Sequence, residues 1–210
     1  TAGGKQKVKC ANTEGLLRII MSIPSPKAEP FKLWLAQVGK ERIEEIENPE
    51  IGFERLRNIY KAKGYPEDWI QTRLQTIEIR KLLTDEWKNR GVKEGKEYSI
   101  LTAQIAKATF GLTPTEHKAV KQLDKENLRD HMVPLELIFT ALGEETTRQI
   151  AIRDDAQGFP ENAEAAQKGG QTAGNLRKKY EEETNIKVVS PQNYLNLLTD
   201  KDKTKEDNKE

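Results

Sequence analysis

Seven of the nine prolines stand where an apolar pattern of helical spacing begins, and this placement limits the fold more than any other feature. Proline has no N–H and fixes φ near the helical value, so it suits the first turn of a helix and breaks the interior. Pro26, Pro49, Pro66, Pro114, Pro134, Pro160 and Pro191 each open such a pattern, and Ser25, Asn48, Thr113 and Ser190 precede four of them as capping residues. Gly64, Gly91 and Gly111 supply stops. Little between these signals reads as strand. The expected fold is all-α, a string of helical hairpins forming one or two small helical modules with a disordered C-terminal tail.

The patterns give the helices in turn. Asn12 precedes Leu16, Leu17, Ile19, Ile20 and Ile23, a short apolar helix that must stop before Ser25-Pro26. Phe31, Trp34, Leu35, Val38, Ile43 and Ile46 carry a second to about Glu47. Asn48-Pro49-Glu50 opens a third, over about 49 to 63, and Pro66-Glu67-Asp68 opens a fourth that runs to Gly91 and is long enough to be its hairpin partner. Gly91 to Lys96, basic and glycine-containing, is the expected domain boundary. Tyr98, Leu101, Ile105, Ala108 and Leu112 then draw one apolar stripe at 3-4-3-4 spacing, which a partner must cover.

Thr113-Pro114-Thr115-Glu116 reads as a capping box opening a helix through Leu123. A helix from Pro134 ends near Gly158, and one from Pro160 to about Glu183 is interrupted by Gly169-Gly170 and Gly174. Ser190-Pro191 caps a last short helix through Tyr194, Leu195 and Leu198. The tail from Thr199 holds no apolar residue and is expected to be disordered. The divisions are therefore 1–48, 49–96, 97–198 and 199–210.

With 35% hydrophobic and 33% charged residues, the 210-residue chain closes only modest cores, and its mean hydropathy is −0.79. No apolar run approaches the ~20 residues of a membrane span, so no membrane partner is expected. Net charge is +1, with +5 in residues 1–96 and −4 in 97–210, an asymmetry that directs any polyanion to the first half. Cys10 is the one cysteine, and with no signal-peptide pattern the expected setting is the cytoplasm. The opening Thr1-Ala2-Gly3-Gly4 reads as a cut from a longer chain.

Candidate chemistry is sparse. Cys10, His117 and His131 are the only soft ligands, against the three of a catalytic zinc and the four of a structural one, and no G-x-S-x-G turn presents a nucleophile, so neither metal, cofactor nor catalytic residue is expected. Asp154-Asp155 point about 100° apart on a helix and mark a solvated end. Lys168 to Asn175 resembles a phosphate loop only loosely, because its last glycine is followed by Asn-Leu. Glycines that bring helices close, or bend one, are the preferred reading. Arg177-Lys178-Lys179 pair with Glu181 to Glu183 four residues on. Arg55, Arg57, Lys61 and Lys63 have fewer acidic neighbours and rank first as a polyanion surface. Lys118, Lys121 and Lys125 share a spacing on the second helix of a helix-Gly111-helix outline, which fits a DNA-reading hairpin or an ordinary helical one. The helices are expected to bury one another and to leave no enclosed pocket where reactive groups converge.

Two stretches resemble known families. ANTEGLLRIIMSIPSPKAEPFKLWLAQVGKERIEEI, residues 11–46, is similar to the closing helices of the Bro-type N-terminal domain of phage antirepressors, through Glu14 to Ile20 and through Pro26, Ala28, Phe31 and Trp34. The strands that precede these helices in that family are not in the sequence. His117 to Ile150 resembles the DNA-damage-inducible protein D family, through Asp130-His131-Met132, Glu136-Leu137, the Gly169-Gly170 to Asn175 segment and Ser190-Pro191. Together these resemblances imply a non-enzymatic regulatory protein of a prophage or of the SOS response to DNA damage. DNA, the recombinase RecA or a repressor protein are its expected partners. Two alternatives are a Mg²⁺-dependent nuclease built from scattered carboxylates and a structural oligomer paired through the Tyr98 to Leu112 stripe.

Overall fold

Caps and glycines divide the chain into helices much as the prolines foretell. The computed structural model describes residues 10–196, and among them it holds eight α-helices, two 3-10 turns, a further helical turn over 194–196 and no strand. None of these helices is long and apolar enough to cross a membrane. The chain separates into two compact units between Asn58 and Ile59.

The first unit holds α1 (Thr13–Ser22), the 3-10 turn Pro26–Ala28, α2 (Glu29–Glu47) and most of α3 (Glu50–Ala62). Asn12 opens α1 by accepting the Gly15 N–H at 2.8 Å, and Ser25 caps the 3-10 turn. Glu45 is the only buried residue among those described in this unit, paired with Arg42 and Arg55. The apolar faces of α1 and α2 form as expected but stay exposed, Trp34 by 55% and Ile46 by 68%.

The second unit carries the core. Its elements are α4 (Glu67–Asn89), α5 (Lys96–Phe110), α6 (Pro114–Val120), the 3-10 turn Leu128–His131, α7 (Pro134–Arg153) and α8 (Gly158–Thr184). The partner of α4 is α7, which also packs on α5 and α8, while α5 lies along α8. Leu83, Trp87, Val92, Leu101, Ile105 and Ala166 form one buried cluster; Phe110, Phe139 and Val188 form another.

Several boundaries move. The link at Gly91–Lys96 is inside the second unit, because Val92 tucks into the core and the Arg90 carbonyl accepts the Gly158 N–H at 2.7 Å. The Tyr98 to Leu112 stripe is covered within the chain, Leu101 fully and Ile105 nearly so, which removes it as a face for self-pairing. Although the Thr113–Glu116 capping box forms, α6 ends at Val120, with Lys121 as its cap and Gln122 at φ +57°. Seven residues with a buried His117 do not make an exposed recognition helix.

α7 ends at Arg153, five residues before the expected end, with Asp154 as its cap, and Asp155 takes a left-handed turn into α8. α8 runs 27 residues without interruption. Its glycines serve close approach: a Cβ on Gly170 would sit 2.7 Å from Ala108 Cβ and 2.8 Å from the Ile105 carbonyl, and one on Gly169 would sit 2.5 Å from Thr147 N. The last helical turn begins at Tyr194, capped by Asn193 rather than by Ser190. Leu198 and the tail expected over 199–210 lie outside the described residues.

Candidate functional site

Three carboxylates below the surface organise the second unit. Glu136, in the first turn of α7, is fully buried and accepts from four donors: His117 Nε2 at 2.9 Å, Lys121 Nζ at 2.8 Å, the Val133 N–H at 2.8 Å and the Ser190 N–H at 3.2 Å. A buried charge is tolerated when paired and hydrogen-bonded, and this one ties α6, α7 and the 188–193 segment together. Lys121 Nζ also donates to the carbonyls of Ser190 and Gln192, at 3.0 and 2.9 Å.

Asp130 accepts from Arg73 Nε at 3.0 Å and from Tyr60 OH at 3.2 Å, while its carbonyl accepts Tyr65 OH at 2.5 Å. Burial first, then the charge of Asp130, pushes the Tyr65 hydroxyl up to about 12. Tyr65 stacks on Trp69 with centroids 4.0 Å apart, and the Trp69 indole donates to the Met132 carbonyl at 3.0 Å. Glu144, two turns beyond Glu136, takes Arg80 at 3.2 Å and Arg129 on the same oxygen, Oε1. Its Oε2 is buried without a hydrogen bond. Burial is the largest influence on Arg80 and lowers its pKa.

Beside Glu144 the helices leave a mostly apolar cavity of about 330 Å³, where the sequence led us to expect no enclosed pocket gathering reactive groups. Ile105 and Phe110 of α5, His117 of α6, Leu128 and Arg129 of the 3-10 turn, and Glu144 of α7 contribute to its wall. The volume falls at the lower end of the roughly 300–1,000 Å³ of small-molecule sites. His117 donates Nε2 to Glu136, so in the neutral ring Nδ1 is the acceptor.

The sequence candidates fall in different places. In the first unit, Arg55 is half-buried and ion-paired with Glu45, and Arg57 is half-buried. In the second, Lys61 pairs with Glu67 at 2.9 Å and the exposed Lys63 lies 5.6 Å from the centre of the Tyr60 ring, so acidic partners are closer to this group than the sequence suggests. Lys118 and Lys125 both line the cavity, Lys125 exposed and Lys118 reaching the Asp124 carbonyl at 3.3 Å. Lys121 departs from the expectation: only 2% exposed and held by Glu136, it has no face to offer a phosphate. Arg129 and Glu144 were not anticipated. The available signal was the Glu136, Thr140, Glu144 spacing, which sets two carboxylates on the face of α7 that also carries Leu137 and Thr147 inward.

Residues 1–40 match the BRO family, N-terminal domain (Bro-N). No curated protein matches the chain. The match supports a Bro-type origin for the N-terminal segment and does not extend over the helices of the second unit.

Proposed function

We propose that the chain is a non-enzymatic regulatory protein of a prophage or DNA-damage response that acts by contacting DNA, with a repair protein such as RecA as a further partner. The match of residues 1–40 to Bro-N carries this reading, because that domain is associated with phage regulators and DNA binding. The second unit is compatible with it. Its interior carboxylates are held in internal ion pairs, while Lys63 and Lys125 remain exposed on its surface. The candidate contacts are Arg55 and Arg57 in the first unit and, taken separately, Lys61, Lys63, Lys118 and Lys125 in the second, without Lys121.

Fluorescence anisotropy with single- and double-stranded DNA over a salt series tests the reading. Phosphate contact gives log K a negative linear dependence on log salt. Binding that weakens steeply with salt supports DNA as the target; flat curves at low salt remove DNA and leave the protein partner, which a direct titration with purified RecA then examines.

A further inference from the structure

We propose that the cavity between α5, α6, the Leu128–His131 turn and α7 binds a small organic anion, an apolar body carrying a carboxylate or phosphoryl head. The wall is apolar over most of its extent, with Ile105, Phe110, Leu128 and Met132 facing the space. Its 330 Å³ equals about eleven water volumes at ~30 Å³ each, enough for a compact organic molecule.

The charge at one end selects the sign of the ligand. Arg80 and Arg129 share the single carboxylate of Glu144, so this cluster keeps one positive charge without a counter-ion. Lys118 and Lys125 line the same cavity, against the one further carboxylate of Glu126. Both guanidiniums are about four-fifths buried, Arg80 at 22% and Arg129 at 19% side-chain exposure, and a charge withdrawn from water gains more from an opposite partner than an exposed one does. Arg129 uses one Nη2–H toward Glu144, and among the described residues no other acceptor meets its side chain. A guanidinium fork with donors to spare matches the oxygens of a carboxylate or phosphoryl group.

The test is a titration of the whole chain with octanoate, followed by backbone amide shifts in ¹⁵N–¹H spectra, with 1-octanol as the neutral match of the same body. Octanoate is expected to saturate, with shifts over α5, residues 125–132 and the middle of α7, and to bind at least tenfold more tightly than 1-octanol. Arg129→Gln is expected to bring the two ligands within about twofold, Arg129→Lys to keep the preference, and Ala106→Phe, at an α5 residue that lines the cavity and so fills it, to abolish both. The inference is overturned by the absence of saturable shifts with octanoate, by equal binding of the alcohol, by shifts confined to the exposed apolar faces of α1 and α2, or by an Arg129→Lys variant that folds and loses the preference.

Discussion

Gly170→Ala separates close helix packing from helix propensity. Alanine is favoured over glycine inside a helix by about 0.8–1 kcal/mol, so propensity alone makes the change stabilising. At Gly170 the new methyl would lie 2.7 Å from Ala108 Cβ and 2.8 Å from the Ile105 carbonyl, whereas ordinary carbon contacts are ~3.5–4.0 Å. The obstacles are backbone and a Cβ, neither of which can swing aside, so α8 must retreat from α5 by roughly an ångström. Overpacking of this kind costs about 1–3 kcal/mol, and a shift that also loosens Leu101 and Ile105 belongs at or above the upper end. The net expectation is about 2 kcal/mol of destabilisation, or about 4–8 °C in Tm for a unit of this size. Gly39→Ala in α2 is the matched control, since its added methyl meets nothing within 4 Å; there the propensity gain should appear undiminished. Urea and thermal unfolding followed by circular dichroism read both variants. A Gly170→Ala protein as stable as the parent, or more so, would refute the claim that this residue sets the α5–α8 distance.

Glu136→Gln should destabilise by about 3–5 kcal/mol in urea unfolding, because Lys121 would be left buried without its counter-charge; Glu136→Leu combined with Lys121→Leu should recover part of that loss. Tyr65 ionises at about 12 when folded against an ordinary 10.0, so its neutral form is favoured by folding. Its stabilising contribution is complete below pH 10 and is lost as pH rises toward 12, a decline that Tyr65→Phe should flatten in alkaline unfolding curves. Glu116 runs the other way: the Thr113 backbone N–H, then Lys107 and the Thr113 side chain, hold its carboxyl at about 2 against 4.5. The capping contribution is present above pH 4.5 and fades as pH falls toward 2, and Glu116→Gln should reduce that acid-side dependence.

The helical ends were legible because capping is local. Thr113 and Glu116 lie three residues apart in the sequence and close their box wherever that stretch is placed. The covering of the Tyr98 to Leu112 stripe was half legible: its periodicity demanded a partner, but nothing in the pattern says that α8, some sixty residues on, supplies it. The glycines of α8 were read as allowing close approach or a bend, and the packing against Ala108 and Thr147 decides for approach.

Least legible was the interior ion-pair system. Lys121 shares a helical spacing with Lys118 and Lys125, but it also stands four residues after the buried His117, and both side chains turn inward to Glu136. Arg80 and Arg129 are separated by nearly fifty residues and meet only through Glu144, so beyond the Glu136, Thr140, Glu144 spacing that turns the carboxylates inward, neither their pairing nor the cavity beside it leaves a mark in any short stretch of sequence. Asp130, Met132, Glu136 and Ser190 receive or supply the bonds that join α4, α6, α7 and the 188–193 segment, so these positions build the unit.

DNA contact is tested most directly by the salt dependence of binding to a duplex, measured by anisotropy for the parent chain and for a Lys118→Gln, Lys125→Gln double variant. Each phosphate contact contributes about −0.9 to the slope of log K against log salt, so the parent should show a steep negative slope and the variant one shallower by about 1.8. A parent chain that fails to bind at low salt, or a pair of slopes that coincide, would contradict a role for this surface in holding DNA.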